Sequence, residues 1–130
     1  MILPVTLCTA AAAAILALWL MIRVGQVRGS EGVSVGDGGN DKVIRRMRAH
    51  ANFVETMPFA LALIAAIEIA GKGAVWLPYI AGVFILGRIA HAFGMDENAF
   101  AKGRLIGTLI TMLTFLGLAT VAVLVATGTV

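Results

Sequence analysis

The sequence is short of nearly everything a water-soluble domain of its size relies on. Only 13% of its 130 residues are charged, and it holds one cysteine, two histidines and one tyrosine. The lone Cys8 excludes an intrachain disulfide. His50 and His91 lie far apart with no second cysteine, so no metal site is expected. The shortage of charge, set beside so much apolar sequence, excludes a disordered chain and an ordinary cytosolic domain. No basic residue precedes the first apolar run and arginines follow it, the reverse of a signal peptide, so a retained membrane span is expected there. The Gly36-Asp37-Gly38-Gly39-Asn40 run lacks the lysine and hydroxyl residue of a phosphate-binding loop and reads as a turn.

What the sequence has in excess is apolar surface. Hydrophobic residues make up 60% of it, and the mean hydropathy is +0.97. A chain this short has no core large enough to absorb that excess, which leaves a membrane protein. A bilayer core calls for about 20 apolar helical residues per crossing. Four stretches qualify, near residues 2–24, 53–70, 74–93 and 105–127. They lack the alternation of barrel strands, and helices satisfy their own backbone groups in lipid. The expected fold is an all-α membrane protein, a four-transmembrane-helix bundle forming a single domain over residues 1–130.

The second helix is expected to start before its apolar part, from about residue 41, with Asp41 as N-cap. Run through to residue 70, it would measure roughly 45 Å at 1.5 Å per residue and project beyond the hydrocarbon. Pro58 should kink it near the interface. The net charge of +3 and pI of about 9.6 describe topology rather than nucleic-acid binding. Arg23, Arg28, Lys42, Arg45, Arg46, Arg48, Arg88, Lys102 and Arg104 gather on the side of the two long loops, against Lys72 alone on the other. That bias puts both long loops in the cytoplasm and both termini on the opposite side.

Charged side chains inside apolar helices usually face a bundle interior or a cavity. Arg48, Asn52 and Glu55 recur at i, i+4 and i+7 on one helical face. They form either a buried structural clamp, with Arg48 and Glu55 paired to each other across two turns or to a neighbouring helix, or part of a binding site. Arg88 and His91 follow at i and i+3 near the end of the third span, where Arg88 either snorkels or binds. Arg104 opens the fourth span, a cation set against its helix dipole. Gly103 and Gly107 form a GxxxG pair that permits close helix approach. Glu68 and Lys72 have the spacing of an end-of-helix ion pair. Together with Arg28, the Arg48, Asn52, Glu55, Arg88, His91 and Arg104 set lies at one depth near the cytoplasmic interface. Such a set suits a small, multiply charged anion that also carries an amine.

The string Arg48-Ala49-His50-Ala51-Asn52-Phe53-Val54-Glu55-Thr56-Met57-Pro58 resembles the signature of the MAPEG family, membrane-associated proteins in eicosanoid and glutathione metabolism. Gly25-Gln26-Val27-Arg28, Gly87-Arg88-Ile89-Ala90-His91 and Arg104 add matches in the same order, so the resemblance covers nearly the whole chain. The loop from Gly32 to Gly39 is similar to bacterial members. The resemblance implies a homotrimer in a bacterial inner membrane, with glutathione as co-substrate in a pocket between subunits. It implies that Arg28, Arg48, Asn52, Glu55, Arg88 and His91 bind glutathione, with Arg28 reaching in from the neighbouring subunit. It implies that Arg104 is catalytic, stabilising the thiolate. Two positions depart from the family pattern: Met95 and Thr56 stand where family synthases place tyrosines.

Three readings follow. In the first, the protein is a glutathione-dependent transferase or peroxidase acting on lipophilic electrophiles. In the second, it is a non-catalytic membrane protein that binds an anionic lipid or thiol at the same arginines. In the third, it is a structural trimer whose arginines snorkel.

Overall fold

A computed structural model describes residues 1–97 and 101–130; residues 98–100, in the second long loop, lie outside the described residues. Four helices follow one another: α1 (Pro4–Glu31), α2 (Asp41–Ile69), α3 (Leu77–Gly94) and α4 (Lys102–Ala126). All four are long and apolar enough to cross a membrane. Their outward faces carry exposed large apolar residues along the whole length, among them Ile15, Leu86, Leu113 and Leu116. In water that surface would drive aggregation; in lipid it is the solvated face.

The helix ends follow local chemistry. Pro4 sits in the first turn of α1 and Pro78 in that of α3, where a missing N–H costs nothing. α1 continues through Glu31, past the apolar stretch that ends near residue 24, and stops only where Gly32 adopts a left-handed conformation. The N-cap of α2 is Asn40 rather than Asp41. The Asn40 side-chain oxygen accepts from the amides of Lys42 at 3.0 Å and Val43 at 3.1 Å, and Asp41 becomes the first helical residue. The helix carries on through Pro58 to Ile69 as one element of 29 residues.

Sequential helices pack side by side and run in opposite directions. The most extensive contacts are between α3 and α4 and between α1 and α2, with α2 also touching α4; among the described residues α1 and α4 do not meet. Buried side chains form two groups. One joins Leu16, Leu20, Phe53, Met57 and Phe84, and the other joins Ile64, Ile67, Leu77, Ala81 and Leu118 toward the end with the short α2–α3 turn. Phe115 links helices across the first group, stacked on Phe84 and edge-on to Phe59, each at 6.3 Å between centroids.

At that same end Glu68 binds α1. Its carboxylate accepts from the amides of Val5 at 2.9 Å and Thr6 at 2.7 Å, and from the Thr6 hydroxyl at 2.6 Å. The i, i+4 spacing predicts Lys72 as its partner, but among the described residues no ion pair joins the two. Three unsatisfied donors and a positive dipole end at the start of α1 attract a carboxylate more strongly than one exposed lysine does.

Candidate functional site

The far end of the bundle, where α1 and α3 finish and α2 and α4 begin, holds nearly all the cationic residues. Here α3 and α4 approach almost backbone to backbone. A Cβ added at Gly107 would fall 2.5 Å from the Gly87 carbonyl oxygen, and one at Gly94 would fall 2.1 Å from the Arg104 amide nitrogen. Gly103 and Gly107 therefore turn their bare faces to α3 of the same chain.

That proximity positions Arg88. The residue is only 3% exposed. Its Nη2 donates to the Gly107 carbonyl at 2.7 Å and its Nη1 to the Asn52 side-chain oxygen, so one guanidinium ties α2, α3 and α4 together. Its Nε is buried without a partner among the described residues. His91, one turn on, is buried as well, with its Cβ and amide against the Gly107 position. Because Arg88 uses the Asn52 carbonyl oxygen, the Asn52 amide nitrogen is left as that side chain's donor.

The other site residues surround this joint. Arg48 and Glu55 are exposed on α2, on either side of half-buried Asn52, and among the described residues no ion pair joins them. Arg104 is the third residue of α4 and is exposed, and its carbonyl accepts from the Thr108 hydroxyl at 2.9 Å. Arg28 stands apart. It donates to the Gly36 carbonyl of its own 32–40 loop and contacts the Met47 sulfur at 3.5 Å. Arg88, His91 and Asn52 therefore come together within one chain, whereas Arg48, Glu55 and Arg104 are exposed around them.

The two departures from the family pattern have a structural counterpart. Met95 packs against the first group of buried apolar residues. The Thr56 hydroxyl donates to the Asn52 backbone carbonyl at 2.8 Å, back into its own helix. Neither side chain replaces a phenol at the site.

A second polar cluster carried only a topological meaning in the sequence. Arg23, 6% exposed, pairs with Asp96 and lies over the Trp19 and Phe93 rings at 4.8 and 5.3 Å. Arg46 joins them, with Nε 3.5 Å from Asp96 and Nη1 donating to the Arg23 carbonyl at 3.0 Å. The available signal was Arg23 itself, a charge inside an apolar span that requires a partner. Among the described residues no group of three or more His, Cys, Asp or Glu side chains could hold a metal ion. Apolar hollows lie along the bundle between α1 and α3: one of about 620 Å³ by Val5, Cys8, Pro78 and Leu86, and one of about 380 Å³ by Ile15, Trp19 and Ile89.

A family model described as the MAPEG family matches residues 6–124. The chain is also similar to the inner membrane protein YecN of Escherichia coli strain K12 and of E. coli O6:H1, 35% identical to each over 69 residues. That similarity covers 52% of this chain and 52% of each relative, so the chain spans about half the length of the curated relatives it matches. No solved structure matches.

Proposed function

This chain belongs to the MAPEG family, and on that premise we propose that it is a glutathione-dependent transferase or peroxidase acting on lipophilic electrophiles in a bacterial inner membrane. The observation that carries the proposal is the outward pair Arg48 and Glu55, exposed on either side of the Arg88–Asn52 joint. Two opposite charges displayed at the edge of an apolar helix without pairing to each other suit a ligand that carries both charges. Glutathione does, with two carboxylates, an α-amine and a thiol. An outward-opening half-site also suits completion by a neighbouring copy, and the family resemblance makes that assembly a homotrimer with the pocket between subunits. The YecN relatives are inner membrane proteins by name, which favours the same location here, and the excess of Lys and Arg beside the two long loops favours a cytoplasmic place for those loops.

In this reading Arg48, and Arg28 from the adjacent subunit, hold carboxylates through forked hydrogen bonds. Glu55 takes the α-amine. The Asn52 amide, fixed in orientation by Arg88, donates to a peptide or carboxylate oxygen, and His91 lines the same wall. Arg104 lies against the sulfur. A free thiol has a pKa of about 8.5, and an adjacent cation lowers it so that more thiolate exists at neutral pH. The thiolate then attacks an electrophilic carbon of a membrane-dissolved substrate. A carbon–sulfur bond forms as the leaving group departs with its electron pair. The apolar hollows between α1 and α3 suit lipophilic molecules of this kind.

Calorimetric titration of the purified protein with glutathione tests the proposal. Saturable binding that Glu55→Gln weakens supports it. No binding of glutathione, together with binding of anionic lipid at the same arginines, would replace it with the non-catalytic reading, which the inward-turned Thr56 and core-packed Met95 favour.

A further inference from the structure

Next to the Arg23–Asp96 pair is a cavity of about 180 Å³, lined by Val27, Lys42, Arg45, Arg46 and Asp96. None of these five residues belongs to the proposed glutathione site. The charges around the cavity do not balance. Asp96 is engaged by Arg23 and Arg46, and Lys42 reaches Glu31 at 3.3 Å. Arg45 has no counter-ion among the described residues, and its Nη1 is buried with no hydrogen-bond partner there; the Nη1 of Arg23 is in the same condition. Four cations thus stand against two carboxylates. A cation held at a polar cavity without a counter-ion is costly, and the cavity that Arg45 lines is where an anion would enter to balance it. The helix amides do not account for the site, because Asn40 already accepts from those of Lys42 and Val43. The excess charge therefore belongs to the side chains.

We propose that this cavity binds the phosphate of an anionic phospholipid headgroup. Phosphate offers several acceptor oxygens in a geometry that guanidinium groups match. The cavity lies between the last turns of α1 and the first turns of α2, where the apolar faces of two membrane helices give way to polar sequence, and buried Val27 supplies an apolar wall. Basic pockets between transmembrane helices at that depth suit anionic headgroups. A soluble phosphate would share the chemistry at the cations but would gain nothing from the adjoining lipid.

The test compares phosphatidylglycerol with phosphatidylcholine of identical acyl chains on the full-length protein in mild detergent, by native mass spectrometry and thermal unfolding. Phosphatidylglycerol adducts are expected to survive activation that strips phosphatidylcholine, and to raise the unfolding midpoint. Arg45→Gln and Lys42→Gln should each reduce the preference about fivefold, as expected for one cation near a membrane surface. The Lys42 side chain is 76% exposed, so its variant should fold even if removing Arg45 disturbs packing. Equal retention of the two lipids, or a preference unchanged in both variants, would overturn the proposal. Inorganic phosphate that raises the midpoint as far as phosphatidylglycerol and displaces it would also overturn it, assigning the cavity to a soluble anion.

Discussion

Replacing Gly107 with alanine places one methyl group in the tightest part of the molecule. The new Cβ would stand 2.5 Å from the Gly87 carbonyl oxygen, 2.6 Å from the His91 Cβ and 2.9 Å from the His91 amide nitrogen. Two of these three contacts are backbone atoms, which have no rotamer to move into. Restoring ordinary contact requires α3 and α4 to separate locally by roughly 1 Å. Overpacking of this kind costs about 1–3 kcal/mol. The separation also stretches the Arg88 bond to the Gly107 carbonyl, worth about 1.5–3 kcal/mol as a hydrogen bond from a charged donor. Alanine returns about 1 kcal/mol in helix propensity. The expected net destabilisation is about 2 kcal/mol or more, from the sum of these effects. Gly117 provides the control on the same helix, because a Cβ there meets nothing within 4 Å. Gly117→Ala should leave stability unchanged or raise it by up to about 1 kcal/mol. Denaturant titration in detergent, followed by circular dichroism, reads both variants. If Gly107→Ala unfolds at the wild-type midpoint, or the two variants shift alike, the close α3–α4 approach and the fixed placement of Arg88 are wrong.

Replacing Glu68 with alanine removes the acceptor for the Val5 and Thr6 amides and the Thr6 hydroxyl, so the unfolding midpoint should fall, as for other lost N-caps. Hydrogen exchange at the start of α1 should accelerate, while Lys72→Ala leaves both readouts unchanged. Glu55→Gln should weaken glutathione binding by about 1.5–3 kcal/mol without altering assembly. Dissociation into subunits that bind normally would make Glu55 a structural residue instead. Native mass spectrometry in mild detergent should give a trimer, and a monodisperse monomer would contradict the shared pocket.

The four helices were legible in the sequence because a membrane span is a local property, twenty or so apolar residues in a row. The early start of α2 was legible for a similar reason, although the cap proved to be Asn40, whose side chain reaches both free amides. The end of α1 was harder to place, because residues 25–31 carry no breaker strong enough to stop a helix until Gly32. Local spacing gave the wrong partner for Glu68, since the start of α1 comes within reach only after α1 and α2 pack antiparallel. The Arg23–Asp96 pair spans 73 positions, and hydropathy does not bring those positions together. Within the candidate site, the i, i+4, i+7 pattern located Arg48, Asn52 and Glu55, but it carried no sign that Arg88 would fix Asn52. That link depends on three helices meeting at Gly107.

Ultraviolet difference spectroscopy of bound glutathione across pH, in wild type and in Arg104→Ala, reads out the thiolate that Arg104 is proposed to hold. Thiolate absorbance is expected at neutral pH in wild type. In the variant, its onset should move up toward the free-thiol pKa of about 8.5 while glutathione still binds, and turnover of a model electrophile should fall in parallel. Equal thiolate signal and equal turnover in the two proteins would contradict the role of Arg104, and bound glutathione with no thiolate in wild type would contradict catalysis itself.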